Sequence, residues 1–117
     1  MSAVPDDRPW SQHLLVETHG PWAGPGCAAF LRDAAGLLRA GRRTLVLLVQ
    51  DGVLAAVPGR LGALDDVLAA GGAVWVDRYS WVYRGLSTVD PVPGVTWAGM
   101  DEVAGHVLDP AVQVVWH

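Results

Sequence analysis

The chain has no lysine, a single cysteine, one phenylalanine and nothing approaching the ~20-residue apolar run of a membrane helix. Each shortage excludes something. With Cys27 alone no internal disulfide can form, and the chain reads as cytoplasmic rather than as a secreted disulfide scaffold. The opening MSAVPDDRPWSQ is acidic and proline-bearing and lacks the apolar centre of a signal peptide. All eight basic residues are arginine, no cationic cluster exceeds Arg42-Arg43, and the formal charge is -4. Direct nucleic-acid binding needs a concentrated cationic footprint and is not expected. Four scattered histidines and one cysteine show no metal-ligand spacing, so neither metal nor cofactor is expected.

What is abundant is apolar: 51% of residues against 17% charged. That balance is poor in charge for a soluble monomer, and implies that another chain, like or unlike, covers part of the surface. A length of 117 residues supports one domain, which buries roughly two thirds of its unfolded surface. Residues 1–11 read as a flexible tail in which Trp10 is the only anchor, and 12–117 as the domain.

The domain is organised around Thr44 to Val57, TLVLLVQDGVLAAV. An apolar run without polar alternation is what a strand covered on both faces requires, so Thr44 to Val49 reads as a central strand. Gln50, Asp51 and Gly52 end it with a turn, Gly52 lending backbone freedom. A strand over His13–Thr18 precedes a turn-rich loop and a helix over Cys27–Ala40, packed through Phe30, Ala34, Leu37 and Leu38. Further elements follow at Leu61–Ala70 (helix), Ala73–Val76 (strand), Tyr79–Tyr83 (short helix), Val95–Ala98 (weak strand), Asp101–Leu108 (helix) and Ala111–Trp116 (strand). Alternating strands and helices predict a single three-layer α/β/α domain on a mainly parallel sheet of about five strands. Its sites belong at the carboxyl ends of the strands.

Three stretches carry a family resemblance. LVLLVQDGVLAAV, the run from Val74 to Leu86 with Asp77 and Arg84-Gly85-Leu86, and the terminal Val112 to Trp116 are similar, in order and spacing, to the DsrE/DsrF/DsrH sulfur-relay proteins. The DsrH/TusB branch is the closest, and the resemblance spans residues 12–116. It implies a DsrEFH-like fold, a cytoplasmic oligomer, alone or with DsrE- and DsrF-like subunits, and a place in persulfide transfer toward tRNA thiolation or sulfur oxidation. In DsrE-type subunits the sulfur-carrying cysteine follows the strand that here ends in Val76. This chain has Asp77 there, which implies the non-carrier branch.

The residues themselves offer four candidate groups. Cys27 opens a helix, whose unpaired N–H groups favour a thiolate able to take up sulfane sulfur; equally, it reads as a small apolar residue packed beneath the helix. Glu17, Thr18 and His19 end the first strand, with His19 near enough in sequence to activate Cys27. Asp51 shapes a turn or lines a cleft, and in the group Asp77, Arg78 and Arg84 either Asp77 pairs with Arg84 across the short helix or the group binds an anion or a partner's carboxylate. Trp22, Tyr79, Trp81 and Tyr83 form an aromatic rim suited to docking a protein or walling a pocket, while Trp75, Trp97 and Trp116 fall on strands as core or interface. The function expected is therefore an accessory or carrier subunit of a sulfur relay. The alternative is a small-molecule enzyme or binding protein using Glu17, His19, Asp51 and Asp77 in one cleft.

Overall fold

The computed structural model describes residues 11–117. Five strands, β1 (His13–Glu17), β2 (Thr44–Leu48), β3 (Ala73–Val76), β4 (Thr96–Trp97) and β5 (Gln113–Trp116), form one sheet in the order β4-β3-β2-β1-β5. Every pairing is parallel. Helices α1 (Gly26–Arg39), α2 (Gly62–Ala69), α3 (Arg78–Tyr83) and α4 (Met100–Leu108) connect them. The expected α/β class and parallel sheet hold.

The apolar run explains the centre. All five residues of β2 are buried, with Val46 and Leu48 packed among α1 and α2 and Leu45 and Leu47 toward the opposite layer. That second layer is thin: Val103 of α4 and Val112 cover Leu14, Val16, Leu45 and Leu47, with Trp75 set edge-on to His106 at 5.4 Å. After β4 the chain crosses the sheet through α4 and returns beside β1, which pairs Val16 with Trp116. β1 is thus the strand at which the winding reverses, its neighbours β2 and β5 being reached over opposite faces.

Three expectations need correction. The buried face of α1 is Cys27, Leu31, Ala34 and Ala35, with Phe30 only half-buried. Of the residues inferred to pack on the sheet, Ala34 lies in this stripe, while Phe30, Leu37 and Leu38 flank it, partly buried against the same core, because Cys27 and Leu31 lead the inward side one turn apart. Trp81 is 2% exposed and belongs to the core, not to an aromatic rim. Its backbone N–H is held by Asp77, and its ring lies 5.8 Å from that of Trp97. Finally, Ser11 is buried and already part of the domain. The expected tail and its anchor Trp10 otherwise lie outside the described residues.

The segment Gln50–Ala56, a 3₁₀ turn, crosses directly over the end of β1. Of the three turn residues, Gln50 is the one that carries a positive φ, 53°. Gly52 is required for a different reason: a Cβ there would be driven into the carbonyl oxygen of Glu17.

Candidate functional site

Because every strand runs the same way, the end of β1 meets the end of β5, and the end of β2 meets that of β3. Two groups of polar side chains result, one at each junction.

At the β1–β5 junction, the Glu17 side chain is 0% exposed. Burial of a carboxylate costs several kcal/mol unless it is well partnered, and the partners are present. Nδ1 of His117 lies 2.8 and 2.9 Å from the two carboxylate oxygens. The backbone N–H of His19 donates to Oε1 at 2.8 Å, and His19 Nδ1 lies 3.7 Å from the same oxygen. His117 is fixed in turn. Its backbone N–H donates to Val16, its carbonyl accepts from the backbone and the hydroxyl of Thr18 at 3.0 and 2.5 Å, and its ring stacks on Phe30 at 5.1 Å. Gly26 leaves room for that ring, since a Cβ there would stand 3.0 Å from it.

Cys27 completes the group from the interior. It is 1% exposed and hydrogen-bonds Glu17. Burial, then the Glu17 charge, then that hydrogen bond push its thiol up to about 12. The helix start that favours a thiolate is outweighed by an apolar setting and an adjacent anion, so Cys27 is a neutral thiol at physiological pH. Sequence placed Glu17, His19 and Cys27 together. It missed His117, a hundred residues from Glu17, because only the return of β5 to β1 joins them; no local signal marks it.

At the β2–β3 junction, Arg84 pairs with Asp51, not with Asp77. Its Nη2 and Nε stand 2.8 and 2.9 Å from Asp51 Oδ1, and its Nη1 donates to the Ser80 carbonyl at 3.1 Å. Asp77 is occupied instead as the amino-terminal cap of α3, accepting from Ser80 N at 3.2 Å and from Ser80 Oγ at 2.5 Å. Ser80 Oγ in turn accepts from Gln50 N at 2.9 Å. The serine thereby ties the turn after β2 to the cap after β3. Asp77→Ala is expected to lower stability by about 1 kcal/mol, and Asp77→Asn to retain most of it. A denaturant titration of the three proteins checks this, and equal midpoints would mean that the cap contributes nothing.

Gln50, Asp51, Asp77, Tyr79, Tyr83 and Arg84 line an open cleft of about 580 Å³. Tyr79 and Tyr83 are exposed, with ring centroids 6.0 Å apart, and form its aromatic lip. Trp22 is also exposed but lies elsewhere, under the guanidinium of Arg60 at 5.0 Å. The Arg78 guanidinium sits over the Trp97 ring, also at 5.0 Å.

No family model matches this sequence, and no curated protein matches it. The fold does have a counterpart: the crystal structure of the YchN protein from E. coli superposes with a TM-score of 0.79 at 19% sequence identity, covering 92% of this chain and 99% of that one. The DsrE-like fold implied by the sequence resemblance stands on this likeness. No helix among the described residues is long and apolar enough to cross a membrane.

Proposed function

We propose that this chain is an accessory, non-carrier subunit of a cytoplasmic sulfur relay of the DsrH/TusB kind, acting through assembly with a subunit that carries the persulfide. The observation that carries this reading is the state of the two positions where sulfur would be held. Asp77 occupies the carrier position and is committed to capping α3, and Cys27, the one cysteine, is buried and protonated. Two surfaces suit assembly. Met100 and Leu108 of α4 and Val115 and Trp116 of β5 are exposed apolar groups that a second subunit would cover. The cleft with its Tyr79–Tyr83 lip would receive the partner's carrier loop, aromatic side chains being common in interface cores.

The enzyme reading fares less well. It needs Glu17, His19, Asp51 and Asp77 in one cleft, yet the first two sit with His117 and the last two with Arg84 and Ser80.

The test is co-expression with the DsrE-like chain of the same genome that carries cysteine at the place of Asp77. Co-elution of the two in size-exclusion chromatography, weakened by Tyr79→Ala/Tyr83→Ala, is expected. Failure to associate under any redox condition would remove the accessory role.

A further inference from the structure

The cluster at the β1–β5 junction does something the relay reading does not use. We infer that Glu17, His19 and His117 form a binding site for a divalent first-row transition ion, with one coordination position left open to solvent. This inference does not rest on the relay assignment, since neither carrier position nor docking cleft contributes a ligand.

The donor set comes first. One carboxylate oxygen and two imidazole nitrogens, offered by three residues, lie within 4.8 Å of one another. Two nitrogens with one oxygen suit zinc or iron(II) rather than calcium or magnesium, which take oxygen ligands. The spacing is close to what an ion needs. Zinc–nitrogen bonds of about 2.0–2.1 Å place tetrahedral ligand atoms about 3.3 Å apart. Here Glu17 Oε1 stands 2.9 Å from His117 Nδ1 and 3.7 Å from His19 Nδ1, on either side of that separation.

The mounting comes second. Glu17 is the last residue of β1 and fully buried, and His117 directly follows β5, its backbone tied to Val16 and Thr18 and its ring backed by Phe30. Gly26 and Gly52 keep the space around this pair clear, one below the His117 ring and one against the Glu17 backbone. His19 is the adjustable member, with a side chain 55% exposed and a ring centroid 4.8 Å from that of His117. A small rotation brings its Nδ1 to bonding distance. The His117 side chain is 37% exposed, so the outward side of the cluster is wet and a water can take the fourth position. Glu17 thus presents a buried carboxylate to two partly exposed imidazoles.

The experiment is calorimetric titration of Zn²⁺ into the full, metal-stripped chain after removal of any purification tag, because a histidine tag would mimic the site. One saturable site is expected, with affinity reduced about tenfold or more in His19→Ala and in His117→Ala. His19→Ala keeps the test valid if the other variant misfolds, since the exposed ring takes no part in the core. Co²⁺ in place of Zn²⁺ is expected to give the intense visible absorption of a four-coordinate site. No saturable binding, equal affinity in His19→Ala and the parent chain, or only the weak spectrum of six-coordinate Co²⁺ would each overturn the inference.

Discussion

Gly52→Ala is expected to cost about 3 kcal/mol or more, enough to threaten a fold of ordinary stability. The reason is a backbone crossing. The 3₁₀ turn after β2 passes over the end of β1 so closely that the added methyl meets the Glu17 carbonyl, which is already engaged by the N–H of Val49 at 3.1 Å. Neither strand end can retreat, since β1 and β2 are paired along their whole length from His13–Thr44 to Glu17–Leu48. Gly36→Ala supplies the contrast. Nothing lies within 4 Å of its Cβ position on an exposed turn of α1, and alanine there is expected to stabilise by up to about 1 kcal/mol. Urea unfolding midpoints decide the matter, and a parental midpoint for Gly52→Ala would mean that the crossing is looser than described.

Native Cys27, in the metal-free protein, is expected to react with thiol-directed reagents about a thousandfold more slowly than the same cysteine in the unfolded chain. Ordinary cysteine at 9.0 and Cys27 at about 12 differ by three units, and each unit is tenfold in thiolate. Polysulfide is therefore expected to add no sulfur to the folded protein by intact-mass measurement. The same shift has a consequence for stability. The folded thiol holds its proton more tightly than the unfolded one, so this contribution is whole below pH 9 and is lost as pH rises from 9 toward 12. Cys27→Ser is expected to flatten that alkaline decline. Labelling of native Cys27 at the free-thiol rate near pH 8 would refute the account.

The elements that sequence located well are those whose signals are local. An unbroken apolar run fixed β2, and strand–helix alternation with glycine stops fixed α1, α2 and β3 to within a residue or two. Local patterns gave less where tertiary packing decides. Trp81 looked like a rim residue because its neighbours Tyr79 and Tyr83 are exposed, yet on a six-residue helix one turn points inward. Arg84 had two acidic suitors, and the nearer in sequence lost because Asp77 was already bonded to Ser80. For Cys27 the helix start and the packed interior pointed opposite ways, and burial, seconded by the charge of Glu17 ten residues away, decides for the neutral thiol. The polar cluster was half legible: Glu17 and His19 share a strand end, but His117 enters only through sheet order.

That sheet order also ties together distant parts of the chain. Pairing β5 with β1 closes a loop of a hundred residues, from Glu17 to His117, and closing so long a loop carries a large entropy cost. The contact between the Glu17 carboxylate and the His117 ring is therefore a clasp: it fastens the last strand to the first at the place where a buried charge needs that strand's return.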